Sequence, residues 1–151
     1  MFELATWQAD EADDGSRRQV LELPLRVAGY DIDFAGIVNN QVYIRWLEDM
    51  RTVYMGRWLS LEDAFSRGLA PTLIRIEVDY RWPLRLGDRA IGRMWTTQVG
   101  RASALIETEI RKADEDRICA HALQTVCFVE SATGKPARMP PEFRAAMIAQ
   151  S

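Results

Sequence analysis

The sequence has one histidine, His121, and only two cysteines, Cys119 and Cys127, in 151 residues. A single histidine, with no Cys/His spacing of the zinc type, excludes a His-rich metal site. The cysteines are eight positions apart in a strand-like run, and an extended strand would hold them too far apart for a disulfide. We therefore expect no metal and no redox cofactor, two buried thiols, and a histidine that belongs to a strand or an interface.

Long apolar runs and an excess of basic residues are also missing. The chain has 19 Lys and Arg against 22 Asp and Glu, a net charge of −3, which leaves no broad basic field for nucleic acid. No apolar run approaches the roughly 20 residues that span a bilayer. The first 16 residues hold five acids and no basic side chain, unlike a signal or transit peptide. We expect no nucleic-acid partner, no membrane partner and a cytoplasmic location.

What is present is an apolar content of 48%, which is typical of one packed domain. Residues 1–17 are polar and acidic, and we expect them to be a mobile N-terminal extension of a domain over 18–151. The clearest element is a long helix after Asn39 or Asn40, both good N-caps. Large apolar side chains recur in it at spacings of three and four: Tyr43, Trp46, Leu47, Met50, Val53, Tyr54 and Trp58.

The rest of the chain is dominated by strand signals. Alternation of apolar and polar residues, bounded by turn residues, predicts strands over 18–27, 73–82, 89–99, 102–112 and 117–130. Short helical segments are predicted over 61–67 and from Pro140. One long helix with runs of antiparallel strands indicates the α+β class. We predict a five-stranded antiparallel sheet wrapped around the long helix.

The candidate catalytic residues are concentrated in the loop before that helix. This loop carries Asp31, Asp33 and Gly36. A helix N-terminus offers unpaired N–H groups and a favourable dipole to a developing negative charge. A carboxylate beside such a site suits acyl transfer. The simpler interpretation is that these are turn and capping residues, with Gly36 an ordinary turn glycine.

Four stretches together resemble the hotdog-fold thioesterases of the 4-hydroxybenzoyl-CoA thioesterase type, over about residues 18–146. The loop motif is the most specific of the four. The stretches are Asp31-x-Asp33-x-x-Gly36-x-Val38 with Asn40 and Tyr43-x-Arg45-Trp46-Leu47-Glu48, then Tyr80-Arg81-Trp82-Pro83-Leu84-Arg85-Leu86-Gly87-Asp88, then Arg101-Ala102-Ser103, and finally Thr133-Gly134-Lys135-Pro136 with Pro140-Pro141-Glu142.

The resemblance implies an acyl-CoA thioesterase with a curved sheet around a central helix, active as a homodimer that can pair into a tetramer, with its sites at the dimer interface. It places the catalytic carboxylate at Asp33 and the N–H that polarises the thioester carbonyl at Asn40. It also implies that Gly36 lies against the substrate and that Arg101 and Ser103 contact the nucleotide end of CoA.

Several alternatives stay open at this point. Asp33 could attack the thioester as a nucleophile or activate water as a general base. Tyr43 could line the substrate site or pack in the core, and Arg101 could be an ordinary exposed arginine. Plant acyl-ACP thioesterases share Val-Asn-Asn-x-x-Tyr but carry Asn and His at the positions of Ala35 and Ile37, so no loop histidine assists here. Acyl-ACP hydrolysis and a noncatalytic acyl-CoA-binding module remain as rival functions.

Overall fold

The computed structural model describes residues 4–12, 14, 15 and 17–149. Each predicted helix and strand is present there, and a 3-10 turn over Gly29–Asp31 precedes the functional loop. The strands and α-helices are, in chain order, β1 Thr6–Glu11, β2 Arg17–Arg26, α1 Asn40–Gly56, α2 Leu61–Ser66, β3 Leu69–Tyr80, β4 Arg89–Val99, β5 Ser103–Lys112, β6 Arg117–Glu130 and α3 Pro141–Ile148.

The described strands form one antiparallel sheet in the order β1-β2-β4-β5-β6-β3. The helix α1 packs on β2 and β4, so the core lies between the helix and one face of the sheet. Bulges interrupt β3 after Leu73 and β4 after Thr96, and such irregularities increase the local twist of a sheet. The predicted α+β architecture is confirmed, with six strands rather than five.

The additional strand is β1, which lies in the stretch expected to be a mobile extension. Its residues pair with β2 from Thr6↔Glu22 to Glu11↔Arg17. Trp7 stacks on Tyr54 at 5.5 Å between ring centroids and meets Trp58 edge-on at 5.6 Å. A polar, acidic composition carries no signal of strand pairing, so the sequence did not indicate this strand. Residues 1–3, 13 and 16 lie outside the described residues, and the domain boundary at 17/18 stays a prediction.

The helix α1 begins as its sequence predicts. Asn39 is the N-cap, and its side-chain oxygen accepts a hydrogen bond from the N–H of Gln41 at 2.9 Å. The helix approaches β4 closely at Gly92, where a Cβ would collide with the sulfur of Met50. A side chain at position 92 would therefore displace the flexible end of Met50.

The thiols and the histidine all lie on β6. Cys119 is buried, which raises the pKa of its thiol, while Cys127 is half-buried and both are free. His121 Nε2 lies 2.6 Å from Glu107 Oε1 on the neighbouring strand, as expected of a strand histidine. Within the described residues, no helix combines the length and apolar character needed to cross a bilayer.

Candidate functional site

The loop between β2 and α1 folds back on itself. Ile32 and Val38 form an isolated antiparallel bridge, and the N–H of Asp33 donates to the carbonyl of Ile37 at 2.9 Å. Gly36 makes the reversal possible, since its φ of +74° lies in the left-handed region that favours glycine. The loop therefore holds Asp33 beside the segment that leads into α1, with Phe34 fully exposed at the tip.

Asp31 anchors this loop from inside the protein. It is only 2% exposed, and its carboxylate accepts hydrogen bonds from the N–H of Ala28 at 2.9 Å and from Nη2 of Arg45 at 2.8 Å. The hydrogen bond to Asp31 raises the pKa of Arg45. The carbonyl of Asp31 also accepts from the N–H of Asn39 at 2.9 Å. These contacts agree with a structural role for this aspartate.

Asp33 has a different environment, although it is only two residues away. It is half-buried, and its Oδ1 accepts a hydrogen bond from the N–H of Ala35 at 2.8 Å. Among the residues that the structure describes, no cationic side chain pairs with it. One carboxylate oxygen is thus fixed by the loop, and the other is available to a substrate or a water molecule.

The first residue of α1 is Asn40. Asn40 is exposed, and its carbonyl accepts a hydrogen bond from the hydroxyl of Tyr80 at 3.1 Å. Its own N–H has no acceptor in the described part of the chain, as is usual in the first turn of a helix. The N–H of Asn39 is already used by Asp31, so the free donor at the start of α1 is that of Asn40.

Tyr43 lies in the core, one turn into α1. It is 3% exposed, and its ring meets Trp46 and Tyr80 edge-on at 5.4 and 5.3 Å. Burial raises the pKa of its hydroxyl to about 12, although a hydrogen bond to the backbone of Leu84 acts in the opposite direction. Packing accounts for this position, and a contact between Tyr43 and substrate stays a prediction.

Arg101 and Ser103 lie at the other end of the sheet from Asp33. The functional loop follows the end of β2, where Arg26 pairs with Arg89 at the start of β4, whereas Arg101 is in the turn that follows the end of β4. The ten steps along β4 amount to about 33 Å at roughly 3.3 Å per residue. Asp33, Gly36 and Asn40 therefore belong to one loop and the helix start that follows it, whereas Arg101 and Ser103 lie at the other end of the sheet.

Sequence reasoning missed the surroundings of Arg101. This residue borders an open groove of about 580 Å³, together with Arg138 and Arg144 from the C-terminal segment and α3. No linear motif connects the turn at 100–102 with residues 138–144, so only the fold shows that they meet. Within the described residues there is no group of three or more His, Cys, Asp or Glu side chains that could hold a metal ion.

Known proteins resemble this chain along most of its length. The model of the thioesterase-like superfamily matches residues 27–147. The long-chain acyl-CoA thioesterase FadM of Escherichia coli (strain K12) is 26% identical over 130 residues, which are 82% of this chain and 94% of that enzyme.

Solved structures extend the similarity to the fold. A thioesterase from Thermus thermophilus, solved in complex with coenzyme A and Zn, has a TM-score of 0.72 and 27% identity over 85% of this chain and 92% of its own. Slr0204 from Synechocystis, a 1,4-dihydroxy-2-naphthoyl-CoA thioesterase, has a TM-score of 0.77 and 22% identity over 85% and 96%. The predicted hotdog fold is confirmed.

Proposed function

The chain belongs to the thioesterase-like superfamily, and from this premise we propose that it hydrolyses acyl-CoA to a free carboxylate and CoA, with Asp33 and Asn40 at the reacting centre. The observation that carries the proposal is the pair formed by the uncommitted Asp33 oxygen and the free N–H of Asn40. The similarity to FadM and to the coenzyme A complex supports a thioester hydrolase that acts on acyl-CoA.

The thioester carbonyl would lie against the start of α1. The N–H of Asn40 donates to the carbonyl oxygen, and the positive end of the helix dipole stabilises the negative charge that develops there. A Cβ atom at Gly36 would meet nothing within 4 Å, so a lack of space is not the reason for a glycine there. The proposed contact of Gly36 with the substrate depends instead on the loop conformation that its positive φ permits.

Asp33 would then act in one of two ways. As a nucleophile, it attacks the carbonyl carbon, the CoA thiolate departs and takes a proton, and water hydrolyses the resulting anhydride. As a general base, it removes a proton from a water molecule that attacks the same carbon while the thiolate departs. Both routes consume one water molecule and yield a carboxylate and a thiol.

A complete site would require a second copy of the chain. The strand β3 is an edge of the sheet, and Ile74, Tyr80 and Trp82 are exposed along it and beyond its end. Joining two β3 edges in antiparallel fashion would place the Asp33 end of one sheet beside the Arg101 end of the other. We propose a homodimer of this kind, with Arg101 and Ser103 of one subunit contacting the CoA held by the other.

A panel of CoA thioesters tests the activity. Short, medium, long and aromatic acyl chains are each incubated with the protein, and the released thiol is measured. We expect turnover of at least one class, well above that of the Asp33→Asn variant. Tight binding of acyl-CoA without release of thiol from any member would show a noncatalytic binding module instead.

A further inference from the structure

One side of α1 leads from the start of the helix to a buried arginine. Asn40, Ile44, Glu48 and Arg51 follow one another at spacings of four, four and three residues, so they lie along one side of the helix. Arg51 is about 16 Å from Asn40 along the axis, at roughly 1.5 Å per residue. Ile44 and Glu48 are exposed, whereas Arg51 is buried. This side of α1 therefore changes from apolar to charged along its length.

A row of side chains on β3 runs beside this side of the helix. Alternate residues from Tyr80 to Ile76 share one face of the sheet and span about 13 Å, at roughly 3.3 Å per residue. At one end of the row, the hydroxyl of Tyr80 donates to the carbonyl of Asn40. At the other end, Ile76 is directly opposite Gln124 of β6. Because α1 packs on β2 and β4, Val78 and Ile76 stay half-buried, and an apolar strip lies between the helix and β3.

The helix and the β3 row meet at a cluster of Glu48, Arg51 and Gln124, here called the polar end. Arg51 donates from Nη1 to Oε1 of Gln124 and from Nη2 to the carboxylate of Glu48. Gln124 is 0% exposed, and its Nε2 has no hydrogen-bond partner among the described residues. The buried hydroxyl of Thr108, on the neighbouring strand β5, also lacks a partner there. Buried polar groups are normally paired, so the polar end has hydrogen-bonding capacity that these residues leave unused.

The charges of the polar end favour a neutral oxygen as its ligand. The positive charge of Arg51 is balanced by Glu48, and a carboxylate on the ligand would be repelled by Glu48. A hydroxyl or keto oxygen carries no charge and accepts hydrogen bonds from guanidinium and amide N–H groups. The guanidinium has five N–H donors, which is more than its bonds to Gln124 and Glu48 use.

We propose that the acyl chain of the substrate lies along this strip, with its carbonyl at Asn40, and that the polar end selects acyl groups with a hydroxyl or keto oxygen far from the thioester. Arg51 donates to that oxygen, while Gln124 and Glu48 hold the guanidinium in place. The inference rests on the proposed function and adds the class of acyl group. A plain alkyl chain of the same length would cover the polar end without replacing its hydrogen bonds to water, and is therefore the poorer substrate.

The test uses CoA thioesters of one chain length. A plain chain is compared with chains that carry a hydroxyl or keto group at successive positions, and with a chain that ends in a carboxylate. The ratio kcat/KM is measured for the wild-type protein, Arg51→Met and Glu48→Gln. Asp49→Asn is the matched control, because it also removes an acid from α1 but lies next to Glu48 in sequence, on a different side of the helix.

We expect the wild-type protein to prefer an oxygen-bearing chain to the plain chain roughly tenfold in kcat/KM, the scale of one hydrogen bond to a charged group, over a narrow range of oxygen positions. Arg51→Met should lose this preference, Glu48→Gln should accept the carboxylate chain better than the wild-type protein does, and Asp49→Asn should change neither.

Three results would overturn the proposal: the plain chain as the best substrate whatever the position of the oxygen, a preference that survives in Arg51→Met, or the carboxylate chain as the best substrate of the wild-type protein. The wild-type comparison and the exposed Glu48→Gln decide the proposal even if Arg51→Met does not fold.

Calorimetry with 2-oxoalkyl-CoA thioethers separates this proposal from the proposed function, because a methylene group between sulfur and carbonyl prevents their hydrolysis. Tighter binding of the oxygen-bearing analogue that Arg51→Met abolishes, without hydrolysis of any thioester, would refute the function and leave selection by the polar end standing. Equal hydrolysis of plain and oxygen-bearing chains would have the opposite meaning.

Discussion

Two aspartates, two positions apart in one loop, have opposite environments. Asp31 is buried and bound by Arg45 and two backbone segments. Asp33 keeps one carboxylate oxygen free at the start of α1. Local sequence treats the two alike, whereas the fold gives Asp31 an ion pair with Arg45 and gives Asp33 no cationic partner within the described residues. Their substitution should therefore have different consequences.

Asp33→Asn preserves size and removes the charge. We expect kcat on the best thioester to fall by roughly two to four orders of magnitude, the usual scale for losing an acid–base group. The thermal midpoint should stay close to that of the wild-type protein, because the side chain is at a loop surface. Steady-state kinetics and calorimetric melting check both halves of this prediction.

Asp31→Asn is the matched control in the same loop. We expect it to lower the free energy of unfolding by about 1–3 kcal/mol, since it weakens hydrogen bonds to a buried carboxylate, with a much smaller effect on the turnover of folded enzyme. An inactive but stable Asp31→Asn variant, with an active Asp33→Asn, would mean that the catalytic position was assigned two residues too late.

Tyr43 gives a prediction at alkaline pH. Burial raises its pKa to about 12, above the value near 10 of an unfolded chain, so the folded state favours the protonated hydroxyl. This contribution is complete below pH 10 and is lost as the pH rises through 12. Urea titrations from pH 9 to 12 should show falling stability, and Tyr43→Phe should show a shallower fall. If stability fell equally with pH in the wild-type protein and in Tyr43→Phe, Tyr43 would be excluded as a source of the pH dependence.

Among the secondary-structure elements, periodicity located the long helix and the five strands of the domain. Local alternation and spacing decide such elements, because one face of each meets the core. The strand β1 could not be found this way. Its ladder is to residues 6–16 positions away, and Asp10 is held by Arg18 and by Arg93 of the distant β4. Asp10, one of the acidic residues that suggested a free extension, is thus an ion-pair partner in the fold.

The loop site was predicted in part for a related reason. Asp33, Gly36 and Asn40 lie within one short segment, so their spacing was informative. Arg138 and Arg144 come near Arg101 through the pairing of β4 with β5 and the hydrogen bonds of Met139 and Arg144 to the turn after β4. Contacts of that kind leave no periodic trace in the sequence.

The contribution of β1 to stability can be tested at Trp7. Its ring stacks on Tyr54, and the guanidinium carbon of Arg57 lies 4.2 Å from its ring centroid. We expect Trp7→Ala to lower the free energy of unfolding by about 1–3 kcal/mol, because a half-buried aromatic ring and its contacts are removed. Leu4→Ala, at a side chain 70% exposed, should stay within about 0.5 kcal/mol of wild type. Urea denaturation distinguishes the two, and equal losses would mean that β1 is not docked through Trp7.

On the scale of the whole molecule, β3 is a free edge of 12 residues with exposed apolar side chains. Such edges pair readily with another chain. We expect light scattering at micromolar concentration to give at least twice the 17.3 kDa chain mass. A monomer mass under these conditions would contradict the proposed arrangement of the site.

A mixed dimer tests which subunit supplies each part of the site. Arg101→Ala alone should raise KM for acyl-CoA and leave kcat nearly unchanged, since a phosphate contact far from the carbonyl contributes equally to ground and transition states. Asp33→Asn alone should lose turnover. If a site takes Asp33 from one subunit and Arg101 from the other, a heterodimer of the two variants has one wild-type site and one doubly altered site.

The heterodimer, isolated with two different affinity tags, should then show about half the wild-type kcat with the wild-type KM, because each composite site binds and reacts on its own. Sites contained within single chains would give half the kcat with the raised KM of Arg101→Ala. The distinction rests on KM, which incomplete folding or inactive protein does not change. A raised KM would therefore place Arg101 and Asp33 in the same subunit's site, despite the length of β4 between them.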